Sequence, residues 1–188
     1  MKQPLLLALT LASAGIAPAQ AATYAIDPRH TSVMFEILHR GTSTIRGRFE
    51  KKEGSVSFDS AGKTGKAEIT IDIKSVSTGV PSLDQRLLKD DLFNADKHPT
   101  ATFVSDKFNF NGSKVTEITG ELTLLGKTQP VTLKATNFNC YDNPVVKRET
   151  CGGDFETIVV RSAHGMNYDL PGGVDNIRVV IQIEAIKQ

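Results

Sequence analysis

The sequence predicts an all-β protein: one closed antiparallel barrel of about eight strands, interrupted by a single short helix. Three observations carry that expectation. Apolar and polar residues alternate with the two-residue period of a strand along most of the chain, so each strand has one face to hide. Gly47 and Gly120 fall at mid-face positions of such runs, which suits strong curvature. The last alternating run ends with the chain and can pair with the first, removing exposed edges. A two-sheet sandwich would also hide the apolar faces, but closure and curvature favour the barrel.

The N-terminus stands apart. Lys2 gives a short positive end, Leu5 to Ala12 is an apolar run too short to anchor in a bilayer, and Ala19-Gln20-Ala21 offers the small residues a signal peptidase needs. Residues 1–21 are therefore expected to be a signal peptide cleaved after Ala21, with residues 22–188 forming a single exported domain. Loss of Lys2 brings the 22 basic side chains level with the 21 acidic ones. No cysteine sits near the cleavage site to take a lipid.

Thr23 to Asp27 reads as a first strand. Val33, Phe35 and Ile37 alternate with Ser32, Met34 and Glu36 on the next, and Ile45, Gly47 and Phe49 continue the pattern. After a turn at Lys51 to Gly54, Val56 and Phe58 begin a return strand. Ala67, Ile69, Ile71 and Ile73 then form the cleanest alternation, with Glu68, Thr70, Asp72 and Lys74 facing water.

The period breaks between Ser75 and Phe103. Ser82 is placed as the N-cap of a short helix, Asp84 and Gln85 in its first turn, and Leu83, Leu87 and Leu88 at helical spacing. Leu92 and Phe93 follow, and Pro99 pushes His98 towards an extended conformation. This stretch reads as a plug with an apolar face, although leucines at such spacing also serve as plain core.

Beyond it, Ala101, Phe103 and Ser105 share a face, and Phe108 and Phe110 lead to Asn111-Gly112, a hairpin dipeptide. Ile118, Gly120, Leu122 and Leu124 alternate; Gly126 to Pro130 is read as a turn into Val131, Leu133 and Ala135. Cys140 to Asp154 is read as a loop-like excursion. Ile158 and Val160 then mark a strand, with Phe155, Thr157 and Val159 offering the opposite parity, and Ile177, Val179, Ile181, Ile183 and Ala185 close the chain.

Composition narrows the function. A formal charge of +1 supplies no field to draw in nucleic acid, and without Trp there is no sign of an aromatic cage. Cys140 and Cys151 are the two cysteines; in an oxidising compartment such a pair is expected to form a disulfide. Gly126-Lys127-Thr128 lacks the upstream glycine spacing of a phosphate loop. His30, His39, His98 and His164 show no metal-ligand spacing, Asp90, Asp91 and Asp96 read as helix-end and turn residues, and no Gly-x-Ser-x-Gly elbow is present. No catalytic residue, metal site or cofactor is therefore predicted. Asn111-Gly112-Ser113 matches a glycosylation acceptor but is read as a turn.

Several stretches together resemble the YceI-like family of lipocalin-like polyisoprenoid-binding proteins. They are the run from Tyr24 to Phe35, His39, Gly47 to Phe49, Asp84 to Phe93, His98 to Phe103, Gly120 to Val131 and a late Arg161, in family order across nearly the whole exported chain. The Cys140 to Cys151 segment is similar to an exported subgroup with a bridged loop. Gln85 departs from the family, which commonly has a charged residue there. The resemblance implies an eight-stranded antiparallel lipocalin-like barrel with a short α-helical insertion, enclosing a long isoprenoid or similar amphiphile, without established catalysis.

On this reading the protein is a periplasmic carrier for a long-chain, isoprenoid quinone-like lipid. Phe35, Ile37, Phe49, Ile69, Ile71, Phe103, Leu122, Leu124 and Ile158 would line the lumen, and Leu83, Leu87, Leu88, Leu92 and Phe93 would close one end. Arg86, His30 and Arg161 are the polar candidates for the head group. Transient membrane contact and a homodimer are compatible with this, and nucleic acid is not an expected partner. The rivals are a lipid-modifying enzyme using the same lumen and a solid-barrel interaction protein in envelope stress. A usable lumen needs about 300 Å³ or more.

Overall fold

The computed structural model describes residues 21–188, so the signal-peptide expectation lies outside the described residues except for Ala21. The strands are β1 (Ala22–Ile26), β2 (Ser32–His39), β3 (Ser43–Phe49), β4 (Lys52–Asp59), β5 (Thr64–Asp72), β6 (Val76–Ser77), β7 (Thr100–Asn111), β8 (Lys114–Leu124), β9 (Lys127–Asn143), β10 (Arg148–Val160) and β11 (Asn176–Lys187). Among the described residues one α-helix, α1 (Pro81–Leu87), separates β6 from β7. Neighbours run in the order β1-β4-β5-β7-β8-β9-β10-β11, and β11 pairs back with β1, closing an antiparallel ring of eight strands.

β2 and β3 are continuations of this ring. β1 covers one half of β11 and β2 the other, Ile26 facing Ala185 and Val33 facing Ile181. β3 and β4 relate to β2 and β1 in the same way, so two strands are each bent once. Asp27 holds the first bend. Its buried carboxylate accepts from the Arg29 backbone N–H at 3.0 Å and from the Arg29 guanidinium at 3.2 Å, and its Oδ2 lies 2.9 Å from His30 Nδ1. The Arg29 guanidinium, helped by the Arg29 N–H and His30, holds the Asp27 carboxyl well below the usual carboxylate range despite its burial.

The mid-face glycines have a more local task than curvature alone. Gly47 stands opposite Phe35 in the ladder, and a Cβ there would lie 2.2 Å from the Phe35 ring. A Cβ on Gly120 would come within 2.4 Å of the Val104 carbonyl oxygen and 2.7 Å of the Phe103 ring. Each glycine gives an inward phenylalanine room to lie against the wall.

Four local expectations are corrected. The helix begins at Pro81 with Val80 as N-cap, so Ser82 lies within the first turn; proline at the first helical position has no N–H to leave unpaired. Asp84 instead accepts from Thr78 N and Oγ1 at 2.7 and 2.6 Å, tying the helix to the chain before it. The hairpin after β7 turns at Gly112-Ser113, one residue later than Asn111-Gly112, because Asn111 already pairs with Lys114.

The next turn is confined to Leu125-Gly126, both at positive φ, and Pro130 lies inside β9. Pro130 faces Glu121 of β8 at a level where β9 has no ladder with β10, so its missing N–H breaks no bond on that side. The Cys140 to Asp154 excursion is a regular β9–β10 ribbon, with Cys140 directly opposite Cys151 and disulfide-bonded to it. Its Asn, Asp and Thr residues hide the strand period from a hydrophobicity pattern.

Candidate functional site

The inward faces do not meet in the middle. They enclose a cavity of about 510 Å³ that runs from the α1 end of the barrel to the disulfide end. Phe35, Ile37, Phe49, Ile69, Ile71, Phe103, Leu122 and Leu124 all line it, as do Leu83, Arg86, Leu87, Leu92 and Phe93 from the segment after β6. Every residue of β11 with odd number from Ile177 to Ala185 also faces it, which gives the cavity one continuous apolar wall.

One expected lining residue and one residue expected to close the end lie off the cavity. Ile158 is corrected to the outer surface, where it is 52% exposed. Cys151, Phe155, Thr157 and Val159 face inward, opposite the inward Ala185, Ile181, Val179 and Ile177 of β11 in an unshifted register, and that parity leaves Ile158 outside. Leu88, the C-cap of α1, packs against the apolar cluster around Phe49 and Ile73 without reaching the cavity.

The β9 wall would defeat a simple period-two count. Val131, Leu133 and Ala135 are packed inward, then Phe138 and Cys140. Opposite the successive residues Asp154 and Phe155 stand Asn137 and Ala135, so Thr136 is an extra residue that reverses the parity. β7 changes parity the same way, from Ala101, Phe103 and Ser105 to Phe108 and Phe110, at an irregularity between Val104 and Lys107.

One end is open and partly polar. It is bounded by α1, by Leu38, His39 and Arg40 at the end of β2, and by Met166, Tyr168, Asp169, Gly173 and Val174 of the segment between β10 and β11. The three elements are tied across the mouth. The Arg86 guanidinium lies 4.4 Å from the centre of the Tyr168 ring and makes two 2.6 Å bonds to the Asp91 carboxylate. Asp91 and then Tyr168 hold the Arg86 charge more firmly than usual. Arg40 pairs with Asp169 at 2.8 Å.

Arg161 sits at the top of β10, only 8% exposed and on the cavity. Its Nε donates to the Val174 carbonyl at 2.7 Å and its Nη1 to the Met166 carbonyl at 3.1 Å. The Asp175 carboxylate is lowered by bonds from the Ser162 hydroxyl and N–H, with the Arg161 charge adding to the effect. A buried guanidinium held by neutral carbonyls retains N–H capacity for an acceptor brought into the cavity. His30 belongs to the Asp27 bend and does not line the cavity.

Nothing in the sequence singles out Met166, Tyr168 and Val174. They lie in an aperiodic stretch whose only signals are Gly165, Pro171, Gly172 and Gly173, marks of a loop rather than of a site. His164 is buried with Nδ1 3.0 Å from the Lys127 carbonyl, to which a ring N–H donates, and it anchors this stretch against the start of β9. Among the described residues no three His, Cys, Asp or Glu side chains converge as a metal site, and no helix is long and apolar enough to cross a membrane.

Comparison with known proteins places this geometry in context. The family profile described as a YceI-like domain matches residues 24–185. A UPF0312 protein of Pseudomonas aeruginosa (strain LESB58) is 35% identical over 193 residues, covering 100% of each chain. Among solved structures, BcnA of Burkholderia cenocepacia is similar with a TM-score of 0.70 and 27% identity, over 85% of this chain and 99% of BcnA. A polyisoprenoid binding domain from Saccharophagus degradans has a TM-score of 0.62 over 90% of this chain and 100% of its own; at 15% identity this is a likeness of fold.

Proposed function

The chain belongs to the YceI-like family, and from that premise we propose that it is a periplasmic binding protein for a long-chain amphiphile, isoprenoid quinone-like in shape, held tail-inward in the barrel. The observation that carries the reading is the cavity: about 510 Å³, above the roughly 300 Å³ a small-molecule pocket needs, and apolar along its length. A solid barrel would leave no such space. Each tail methylene moved from water into this wall contributes up to about 0.8 kcal/mol, so a long tail binds through area and shape.

The polar groups fit the other half of an amphiphile. Arg161 offers a buried donor at the top of the apolar wall, and Arg86 stands at the opening beside Tyr168. A quinone carbonyl or another oxygen acceptor would sit at this level, with its tail directed towards Phe58 and Phe138. The ties from Arg86 to Tyr168 and from Arg40 to Asp169 join the elements that frame the entry. The work is binding and release: the mouth offers donors to orient a head group, and the reading requires no bond to be made or broken.

The test is extraction of lipids from protein purified without delipidation, followed by mass spectrometry. One amphiphile of defined tail length, recovered in near-stoichiometric amount, is the expected result. Protein that is consistently empty and takes up no added isoprenoid quinone would overturn the reading.

A further inference from the structure

The disulfide end of the cavity is closed by aromatic rings rather than by the ends of strands. Tyr24, Phe58 and Phe138 line the large cavity from below, and the same three residues line a second recess of about 370 Å³ on their far side. The rings form a connected wall: Tyr24 to Phe58 is 6.3 Å between centroids and nearly edge-on, and Phe58 to Phe138 is 5.6 Å. Phe58 is also stacked on Phe110 at 5.8 Å.

The two sides of this wall differ in chemistry. Above it are Ile118, Leu133 and Phe155. Below it are Asp59, Asn139, Glu149 and Lys187. The Tyr24 hydroxyl donates to Glu149 Oε1 at 2.6 Å, and Lys187 Nζ lies 3.2 Å from the same oxygen. The ring of Tyr24 is thereby held in place by a charged pair that an alkyl chain gains nothing from meeting.

We propose that the Tyr24, Phe58 and Phe138 rings are the chain-length stop of this binding site, selecting amphiphiles whose tail ends at that wall. The proposal rests on the carrier reading and adds to it which residues choose the ligand. A tail that ends above the rings gains from every methylene it adds, each worth roughly four-fold in affinity. A longer tail must fold back, leave carbon at the mouth, or displace Phe58 towards the Glu149 and Lys187 pair, so the gain stops.

A ladder of linear prenols, graded by isoprene unit and competed against a fluorescent prenyl probe, tests this. For the wild-type protein, affinity should rise with length and then break sharply. Phe58→Ala should move the break to longer prenols, and Phe138→Leu should move it in the same direction by less. Ala67→Leu should move it to shorter ones, because Ala67 is buried on the cavity two residues along β5 from Gly65, the ladder partner of Phe58. Tyr24→Phe keeps the ring but loses the bond to Glu149, and should move the break less than Phe58→Ala does. Should Phe58→Ala fail to fold, Phe138→Leu and Ala67→Leu decide the matter. A break at the same length in the wild type and in every folded variant overturns the stop while leaving the carrier reading intact. A wild-type protein that binds no prenol of any length overturns both.

Discussion

The two ends of the barrel are closed by different means. At the base β10 pairs with β9 from Arg148 to Glu156 with a single bulge at Thr136, a disulfide crosses the ladder, and the packed rings of Tyr24, Phe58, Phe110 and Phe138 form the floor of the cavity. At the mouth β9 and β10 have separated, and the gap is bridged by side chains, with Gln129 donating to the Ala163 carbonyl and His164 to that of Lys127. Arg86 on Tyr168 and Arg40 on Asp169 hold the rest. Backbone ladders and packed rings open only with the fold, whereas exposed side-chain contacts exchange readily. Stability and access are thus assigned to opposite ends of one tube.

Substitutions should separate the two ends. The largest loss of stability is expected for Phe58→Ala, about 3–5 kcal/mol, because it removes a ring packed against Tyr24, Phe110 and Phe138. Equilibrium denaturation checks it; a loss below about 1 kcal/mol would mean that the base is not close-packed. Replacing Cys140 and Cys151 together by serine should cost about 2–3 kcal/mol, since the bridge closes a loop across a sequence separation of 11. Equilibrium denaturation reads this too, and an unchanged midpoint would mean that the bridge adds nothing to the β9–β10 ribbon.

Asp27 lies between the two ends and should show itself in acid. Its folded-state pKa is depressed, so the stability it contributes is present above the unfolded carboxylate value near about 4 and is lost as pH falls below that. Asp27→Asn should cost about 1–3 kcal/mol at neutral pH and flatten the decline below pH about 4. Denaturation midpoints over a pH series read this directly, and an unchanged acid slope would remove Asp27 from the account. The smallest effect on stability belongs to the mouth. Arg86→Ala should leave the unfolding midpoint nearly unchanged while speeding ligand release several-fold, measured by transfer of a fluorescent prenyl lipid to vesicles; unchanged release would mean that the Tyr168 contact does not restrain the opening.

What could be read from sequence follows the same division. β5 and β11 carry one uninterrupted period, as does β8 from Ile118 to Leu124, and Ile69, Ile71, Ile118, Leu122 and Leu124 all reach the cavity. Where an extra residue slips into a strand, the period misleads: Thr136 turns β9 over, and nothing in its identity marks the bulge. Ile158 misleads for a related reason. Its strand carries apolar residues on both faces, and parity had to be carried forward from Cys151 through a ribbon that looked like a loop.

The mouth was the least readable region. The helical leucines announced a plug, but the partners of Arg86 and Arg40 come from Tyr168 and Asp169, far along the chain in a stretch with no period at all. Long-range contacts between irregular segments leave no repeating pattern, and only the fold brings them together.

A crystal structure of protein purified without removal of lipid tests the account at its root. Continuous density for one alkyl or prenyl chain is expected, beginning beside Arg161 and ending against Phe58 and Phe138. An empty lumen, or inward side chains closed upon one another across the space between Phe35, Ile71 and Leu124, would contradict it.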